Sequence, residues 1–298
     1  MSEPHPAYLI GGQRFEAASL APGLYIVATP IGNMGDITLR ALATLAAADL
    51  VLCEDTRTSG KLMERYGIRA RLAPYHEHNA RKVRPGILGR LAEGAAIALV
   101  SDAGMPLVSD PGYRLVREAA ERGIAVTTCP GPSAVLAGLA LSGLPTDRFL
   151  FAGFVPQKQG ERRRLFLEFA TLKATLVFFE SPHRIVETLG DIDAVLPGRG
   201  VVVTRELTKF HEEVLRGSAL EIATQLAARP AVKGEITLLV GPPEQPEAVS
   251  GEELEEAITA ALAAMPAGKA ASELARRFQL NRADIYQRIL ARKGGDGQ

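Results

Sequence analysis

Acidic residues and glycines follow an apolar run in the segment LVSDAGMPLVSDPGYRLV, which begins at Leu99. In an open α/β sheet, ligands bind beyond the carboxyl ends of the strands. Asp102 stands at such an end, beside glycine that permits close backbone approach, which suits a ligand with amino or ribose hydroxyl groups. No basic residue occurs from Leu99 to Gly112, so a pyrophosphate would meet only backbone amides. A plain tight turn is the alternative interpretation.

The segment PGPSAV, which starts at Pro130, repeats this arrangement. Gly131 follows a strand-like run and Ser133 begins a helix of small residues, although Ser133 could act only as a helix cap. Asp110 followed by Pro111 predicts an N-cap and the first residue of another helix. Together the two loops predict one pocket. The sequence contains neither GxxxxGK[ST] nor GxGxxG after a strand, which disfavours an ordinary nucleoside triphosphate or dinucleotide site.

Two further strand ends carry residues that could move protons or hold phosphates. Glu54, Asp55 and Arg57 follow the run LVLC, and Arg205 with Glu206 ends the run VVVT. Adjacent acids with an arginine could supply a general base and a phosphate clamp. A solvated loop explains the same residues equally well.

A possible metal motif is weak. His76, Glu77 and His78 lie together, but no second set of ligands follows at a suitable spacing. Structural metal sites need such a second set. We therefore predict no metal site.

Strand-like and helical patterns alternate along most of the chain, and they must position these loops. Apolar runs at 24–29, 50–53, 97–101 and 125–129 are separated by helical periods, such as the one from Asp36 through Leu45. Continuously apolar strands separated by helices predict a parallel sheet covered on both faces. After Pro145 the pattern restarts with runs at 149–155, 175–181, 201–207 and 235–241, of which some could form hairpins. We therefore predict an α/β protein with a parallel sheet and then a mixed sheet.

The last part of the chain differs. A Pro-rich stretch at 242–251 breaks the strand pattern, and only helical periods follow. One apolar face ends in a turn with Asn281 as a candidate N-cap, and a second face follows, which is typical of a helix-turn-helix. The faces comprise Leu274, Ala275 and Phe278, then Ile285, Ile289 and Leu290. A solvated helical hairpin is the open alternative. The predicted segments are an extension at 1–22, possibly disordered, α/β domains at 23–132 and 133–242, and a linker with helix-turn-helix at 243–298.

Composition limits the function classes. The 298 residues include 34 Lys and Arg against 34 Asp and Glu, so no global field draws the protein to nucleic acid or to an anionic membrane. Short basic patches indicate instead a polyanion bound over a limited area, with solvated helix faces as the alternative. They comprise Arg69, Arg71, Arg81, Lys82, Arg84 and Arg90; Lys158, Arg162, Arg163 and Arg164; and, in the tail, Lys269, Arg276, Arg277, Arg282, Arg288, Arg292 and Lys293.

Compartment signals favour the cytoplasm. The longest weakly polar run, 134–144, is far below the roughly 20 apolar residues of a membrane span, and no secretory signal is visible. Cys53 and Cys129 lie in apolar runs, which fits reduced core thiols. We predict a cytoplasmic protein.

Seven ordered segments resemble the ribosomal-RNA-modifying branch of the tetrapyrrole methylase superfamily. They are VATPIGNMGDITLRAL, CEDTRTSGKL, VSDAGMPLVSDPG, PGPSAV, FFESPHRI, VTRELTKFHEEVLRG and KGEITLLVG. The match covers about Gly23 to Gly241, and the tail resembles the extra C-terminal helix-turn-helix of that branch. Ser101-Asp102-Ala103 replaces the superfamily's usual Gly-Asp-Pro, and Ala28-Thr29-Pro30 replaces its glycine-rich first loop, which disfavours tetrapyrrole substrates.

The resemblance implies S-adenosylmethionine held between the two α/β domains. It implies methyl transfer to the 2′-hydroxyl of a decoding-centre cytidine in small-subunit ribosomal RNA, free or in an assembled subunit, and it implies a homodimer without metal. The residues that it assigns to the methyl donor are Ile31, Asp102, Met105, Ser133, Ala134, Phe179, Glu180, Leu207 and Thr237.

A mechanism follows as a hypothesis. Glu54 or Asp55 accepts the hydroxyl proton, and Arg57 and Arg205 hold flanking phosphates. The substrate also contacts five residues: Asn33 and Asp36 at the entrance, and Arg162, Arg163 and Arg164. Two alternatives remain: a methylase of a small anionic macrocycle, which would need neither the basic tail nor the basic loops, and a ligand sensor whose tail reads DNA.

Overall fold

Two five-stranded sheets form the body of the protein in the computed structural model, which describes residues 6–108, 112–243, 251–278 and 280–295. The chain divides into two compact units, Met1–Pro242 and Pro243–Gln298. Both sheets lie in the first unit.

The first sheet is parallel throughout, as predicted, with the strand order β5-β4-β6-β3-β7. Its strands are β3 (Gly23–Val27), β4 (Leu50–Cys53), β5 (Leu72–Pro74), β6 (Ala96–Leu99) and β7 (Val126–Cys129). Its helices are α1 (Leu39–Ala47), α2 (Thr56–Arg65), α3 (Glu77–Ala92) and α4 (Tyr113–Glu121). Separate buried clusters on the two faces include Leu42 and Leu62 on one, and Leu88 and Leu115 on the other. Burial on both faces explains why the inner strands β4 and β6 are apolar at every position, whereas the edge strand β7 contains the exposed Thr127 and Thr128.

The second sheet is mixed, also as predicted, with the order β11-β10-β12-β9-β8. Its strands are β8 (Phe149–Phe154), β9 (Thr175–Glu180), β10 (Val201–Arg205), β11 (Glu213–Gly217) and β12 (Ile236–Val240). Only β8 and β9 pair in parallel; the other pairs are antiparallel. Its helices are α5 (Ala134–Ser142), α6 (Gln159–Glu168), α7 (Ile185–Val195) and α8 (Ala219–Ala227). Because β12 runs opposite to β9, its amino end lies beside the carboxyl end of β9.

The first residues correct one expectation. The extension predicted as possibly disordered contains a hairpin of β1 (Ala7–Ile10) and β2 (Gln13–Glu16). Gly11 and Gly12 supply the two positive φ angles that a tight hairpin turn needs. Tyr8 stacks on Phe15 with ring centroids 5.7 Å apart. The chain therefore begins its described part as a packed hairpin.

Two helix starts also differ from the sequence pattern. Asp36 belongs to a short 3-10 turn, Met34–Asp36, and α1 begins only after Thr38, whose hydroxyl accepts a hydrogen bond from the Ala41 amide at 3.1 Å. Helix α4 begins at Tyr113, with Gly112 as its N-cap. The predicted cap Asp110 and its neighbour Pro111 lie outside the described residues.

The second unit contains α9 (Gly251–Ala264), α10 (Ala267–Phe278) and α11 (Arg282–Gly295). The Asn281 carboxamide accepts a hydrogen bond from the Ala283 amide at 2.8 Å, which confirms the predicted N-cap. Leu274, Ile285 and Ile289 are buried in one cluster, whereas Leu290, predicted to share that face, is 42% exposed. Among the described residues of the chain, no helix is long and apolar enough to cross a membrane.

Candidate active site

A cavity of about 430 Å³ opens where the carboxyl ends of several strands from both sheets meet. We call it the first cavity. Its wall includes eight of the residues that the resemblance assigns to the methyl donor: Ile31, Met105, Ser133, Ala134, Phe179, Glu180, Leu207 and Thr237. The volume is within the range of small-molecule sites, roughly 300–1,000 Å³. Most of the wall is apolar, and none of the residues that line it is a lysine or arginine.

The loop after β6 is held against the loop after β3. Thr29 and Gly104 exchange backbone hydrogen bonds of 2.9 and 3.0 Å, and the Thr29 hydroxyl donates to the Ser101 carbonyl at 3.0 Å. Gly104 has a φ of 82°, and a Cβ there would lie 3.3 Å from the Ile31 side chain. This glycine therefore lets the two loops approach closely enough to form one wall.

The start of α5 and the ends of β8 and β9 form the opposite walls. The Ser133 hydroxyl accepts a hydrogen bond from the Leu136 amide at 3.4 Å, so it caps α5 while lining the cavity. The rings of Phe151 and Phe154 pack against Phe179 at centroid distances of 4.9 and 5.4 Å. The aromatic cluster gives this wall a fixed apolar surface.

Glu180 is buried, and its carboxylate is engaged inside the protein. It accepts hydrogen bonds of 2.6 Å from the Ser181 amide and the Thr188 hydroxyl, and it forms a 2.7 Å ion pair with Arg184. The charge is therefore compensated by the chain itself. Glu180 contributes to the shape of the wall and to the position of α7.

A smaller cavity of about 230 Å³ adjoins the first, and we call it the second cavity. The two share Ile31, Ala103 and Glu235 in their walls. The second cavity is more polar, with side chains of Thr29, Thr58, Ser59, Ser101, Asp102, Lys209 and Glu235 around it. The mainly apolar first cavity thus adjoins a second one that offers more polar side chains.

Asp102 faces this second cavity and not the first. Its carboxylate accepts a hydrogen bond from the Asp55 amide at 3.1 Å, at the start of α2. The sequence assigned Asp102 to the wall that holds the methyl donor; here it lines only the neighbouring cavity. Its role toward a donor stays a prediction.

Comparison with known proteins bears directly on this architecture. A family model described as Tetrapyrrole (Corrin/Porphyrin) Methylases matches residues 23–223, and one described as RsmI C-terminal HTH domain matches residues 248–293. Ribosomal RNA small subunit methyltransferase I of Mesorhizobium japonicum is 50% identical over 291 residues, 97% of this chain and 99% of that protein. The same-named protein of Vibrio cholerae is 44% identical over 90% of this chain and 94% of its own length. The chain belongs to the ribosomal RNA small subunit methyltransferase I family of tetrapyrrole methylases.

Solved structures show the same fold at low identity. Diphthine synthase aligns with a TM-score of 0.57 and 16% identity over 73% of this chain and 89% of its own. Uroporphyrin-III-C-methyltransferase from Thermus thermophilus aligns with a TM-score of 0.52 and 21% identity over 74% of this chain and 94% of its own. The predicted fold class and the prediction of a methyltransferase are therefore confirmed. Membership of this enzyme family sets aside the ligand-sensing DNA regulator.

The predicted acid–base residues lie outside the walls of both cavities. Asp55 caps α2: its carboxylate accepts a hydrogen bond from the Arg57 amide at 2.8 Å and forms a 2.7 Å ion pair with the Arg57 guanidinium. These bonds hold the pKa of Asp55 at about 2, so its carboxylate is a weak base at neutral pH. Glu54 is exposed, and the Arg57 side chain is 87% exposed. At the predicted entrance, Asn33 is exposed and its carboxamide accepts a hydrogen bond from the Gly35 amide at 3.0 Å.

Three of the predicted anion-binding arginines of the methylase pair with acidic side chains of the protein itself. The Arg162 guanidinium is buried and donates to Asp191 at 2.6 Å, which disfavours its predicted contact with the substrate. Arg163 also pairs with Asp191 at 2.6 Å but is half exposed, and Arg164 is exposed. Arg205 donates to Glu213 at 3.0 Å and to the Lys233 carbonyl at 3.1 Å, which disfavours it as a phosphate ligand.

Glu213 predicts a pH dependence of stability. Hydrogen bonds from Arg229 and Arg205 lower its pKa from 4.5 to about 2. A lowered carboxylate pKa stabilises the fold above the ordinary pKa, and this contribution disappears as the pH falls from about 4.5 through about 2. Glu213→Gln should lower the free energy of unfolding by about 2 kcal/mol at pH 7. Urea titrations of both proteins should converge as the pH falls from about 4.5 toward 2, and a constant difference would contradict the assignment.

The cluster of Glu206 and Lys209 explains two glycines of the methylase. A Cβ on Gly234, whose φ is 94°, would lie 2.6 Å from the Glu206 carboxyl carbon, and a Cβ on Gly32 would lie 2.5 Å from Lys209 Cγ. Gly234→Ala should therefore cost about 2 kcal/mol of stability, through backbone strain and overpacking. Gly190→Ala is the matched control, because that helical glycine has open space; it should be neutral or stabilising by up to about 1 kcal/mol. Equal effects of the two changes in urea denaturation would contradict this reading.

The tail carries its basic residues on exposed positions. Arg276, Arg282 and Arg288 are exposed, and the Arg277 guanidinium lies 4.9 Å from the Phe278 ring centroid. Arg292 donates to the Thr259 hydroxyl at 2.7 Å. Within the described residues, no group of His, Cys, Asp and Glu side chains is placed to hold a metal ion. Cys53 and Cys129 are buried and unpaired.

Proposed function

We propose that this methylase transfers a methyl group from S-adenosylmethionine to the 2′-hydroxyl of a cytidine in the decoding centre of small-subunit ribosomal RNA. The observation that carries the proposal is the pair of adjoining cavities, of which the second is richer in polar side chains, in a chain whose relatives are named ribosomal RNA small subunit methyltransferase I. The apolar cavity would hold the methyl donor and the polar one the ribose.

The first cavity fits the methyl donor chemically. S-adenosylmethionine supplies an electrophilic methyl group on a positively charged sulfonium when bound. The wall of the first cavity lacks lysine and arginine, so no like charge opposes the sulfonium there. Ile31, Ala134, Phe179 and Leu207 offer apolar surface to an adenosine, and Ser133 and Thr237 offer hydroxyl groups.

The polar cavity suits a sugar. Its threonine and serine hydroxyl groups, together with Asp102, can donate and accept hydrogen bonds. Holding a hydroxyl about 3 Å from the methyl carbon would turn a bimolecular encounter into a local step, worth up to roughly 7–11 kcal/mol of the barrier. The chain's contribution is therefore chiefly to position the two reactants.

The RNA contact would extend beyond the cavities. Arg163 and Arg164 are exposed, and so are basic residues of the second unit, whereas Arg162 is buried. Exposed cations of this kind suit a phosphate backbone and make binding depend on salt. We further propose a homodimer, and the substrate would place the protein in the cytoplasm. Whether the substrate is free RNA or an assembled subunit is part of the test.

One alternative function, methylation of a small macrocycle, is kept as an outcome of the test. The matching family model is described as Tetrapyrrole (Corrin/Porphyrin) Methylases, and one structural relative is a uroporphyrin-III-C-methyltransferase. The exposed basic residues of the tail favour RNA, because a small substrate needs no such surface.

The test is methyl transfer from tritiated S-adenosylmethionine to small ribosomal subunits, and to their free RNA, from cells that lack the modification. We expect label on one cytidine ribose, located by reverse transcription and mass analysis of fragments. Label on a base, or label only on uroporphyrinogen, would overturn the proposal. Calorimetry with S-adenosylmethionine and with its demethylated product gives an independent check on the first cavity.

A further inference from the structure

The proposed methyl transfer needs a group that removes the hydroxyl proton, and this section rests on that proposed function. A general base must lie within hydrogen-bond reach of the proton that it accepts. Glu54 and Asp55 line neither cavity, and the pKa of Asp55 is about 2. A carboxylate at the junction of the cavities would satisfy the requirement better.

Glu235 occupies that junction. It begins the run EITLLV, directly before β12, and it lines both cavities. Its side chain is 76% exposed, so its carboxylate is accessible to a ligand. Ile31 and Ala103, the other residues shared by the two walls, have no group that could accept a proton.

Lys209 holds this carboxylate. Its ammonium donates to Glu235 at 3.0 Å and to Glu206 at 2.9 Å. A lysine ammonium has three donors, and within the described part of the chain these two carboxylates are its hydrogen-bond acceptors. The third N–H is therefore available beside Glu235, in the wall of the second cavity.

The protein supports this pair with strained and closely packed backbone. Glu206 and Thr208 have φ angles of 53° and 63°, which non-glycine residues rarely adopt. The Thr208 hydroxyl accepts a hydrogen bond from the Asn33 amide at 3.2 Å, which ties the loop to the first half of the unit. Glycines at 32 and 234 leave room for the side chains of Lys209 and Glu206. Strain of this kind persists where surrounding structure enforces it, and it is enriched at functional sites.

The protonation states are suited to the task. Burial acts to lower the pKa of Lys209, but its hydrogen bonds to Glu206 and Glu235 outweigh burial and raise it. The lysine is therefore a cation at neutral pH and cannot accept a proton. The charged groups that face Glu235 are Lys209 and, beyond it, Glu206, while Asp102 lines the same cavity.

We propose that Glu235 is the general base of the methyl transfer and that Lys209 holds the ribose 2′-oxygen beside it. The O–H bond breaks and its proton passes to a Glu235 carboxylate oxygen. The oxygen electron pair forms the bond to the methyl carbon while the carbon–sulfur bond breaks, and its electron pair stays on sulfur as a neutral thioether. The Lys209 ammonium stabilises the negative charge that develops on the oxygen.

The first experiment measures binding without turnover. Small-subunit RNA is prepared with either ribose or a single 2′-deoxyribose at the target nucleotide. It is used as free RNA or as an assembled subunit, according to which of the two the wild type methylates. The wild type should bind the ribose form roughly tenfold more tightly, since hydrogen bonds to charged groups discriminate by about this factor. Glu235→Gln and Lys209→Met should lose this preference, and Lys233→Met, an exposed neighbour outside both cavities, should keep it.

The second experiment measures single-turnover rates against pH. Glu235→Gln should be roughly 100-fold slower and should lose the fall in rate toward acid pH that the wild type shows. Calorimetry with S-adenosylhomocysteine should still detect binding by both variants, which excludes collapse of the first cavity. Two results would overturn the proposal. One is a wild-type rate in Glu235→Gln. The other is an equal loss of rate in Glu54→Ala or Asp55→Ala, combined with a ribose preference that Glu235→Gln retains. Failure of the proposed function would appear separately, as absence of turnover in the wild type.

Discussion

Replacement of Asp191 by Ala should lower the free energy of unfolding by about 3–5 kcal/mol. The side chains of Asp191 and Arg162 are each 2% exposed, and they are joined by a 2.6 Å ion pair. Removing the carboxylate leaves the Arg162 guanidinium buried, with a hydrogen bond of 3.4 Å to the Gln157 carbonyl and an acidic neighbour, Glu187, at 3.8 Å. An uncompensated buried charge is among the most destabilising changes known in proteins.

The matched control is Arg163→Ala. Arg163 donates to the same carboxylate at 2.6 Å, but its side chain is 48% exposed. Loss of this partner leaves Asp191 paired with Arg162, so the cost should stay below about 1 kcal/mol. Urea denaturation followed by circular dichroism measures both variants. Similar losses would show that the buried pair does not stabilise the second sheet and its helices.

Acid should weaken the ion pair of Asp191 with Arg162. Burial acts to raise the pKa of Asp191, but hydrogen bonds from Arg163, Arg162 and Gln159 outweigh it and lower the pKa. A lowered pKa means that the stabilisation is complete above the ordinary value of about 3.9 and is lost as the pH falls through the folded value. The difference between wild type and Asp191→Ala should therefore be constant from pH 6 to 8 and shrink only in strong acid.

Replacement of Ala134 by Phe should raise the dissociation constant for S-adenosylmethionine roughly 1,000-fold or more, which would leave no measurable affinity. Ala134 is the first residue of α5 and lines the first cavity. An aromatic ring there would occupy a large part of the about 430 Å³ available. A ligand that loses half of its contacts loses several kcal/mol of binding free energy. Each 1.4 kcal/mol corresponds to about a tenfold change in the dissociation constant.

Ala140→Phe, an exposed position on the same helix, provides the comparison. Both variants carry the same added ring, so a difference between them reports on the cavity and not on helix propensity. Calorimetry with S-adenosylhomocysteine should show near wild-type affinity for Ala140→Phe. Normal affinity in Ala134→Phe would place the methyl donor elsewhere.

Much of the architecture was predictable, because buried strands and amphipathic helices leave a periodic record in the sequence. The parallel sheet, the mixed sheet and the Asn281 cap follow from such local patterns. Strand β11, which contains Glu213 and Arg216, was not predicted, since its residues are half-buried or exposed and lack a continuous apolar run. Hairpin β1–β2 was also missed, because the apolar run of β1 is only four residues long and β2 is exposed throughout.

The site was predictable only where it follows the carboxyl ends of strands. That rule predicts Ser133, which lines the first cavity, whereas Phe179 and Leu207 were assigned only by the family resemblance. It misses Glu235, because the antiparallel β12 brings its amino end to the site. The basic patch at 158–164 gave no sign that Arg162 is buried, because its partner Asp191 lies 29 residues away and is brought near by the packing of α6 against α7.

The composite walls of the first cavity have a mechanical consequence. Ile31 and Met105 lie in loops of the first sheet, and Phe179 and Thr237 belong to strands of the second. A molecule bound in the first cavity therefore contacts both sheets. A ligand that binds the folded protein and not the unfolded chain stabilises the fold by an amount set by its concentration relative to its dissociation constant. The segment between α5 and β8, residues 143–148, should accordingly be cut more slowly by proteases when the methyl donor is in excess.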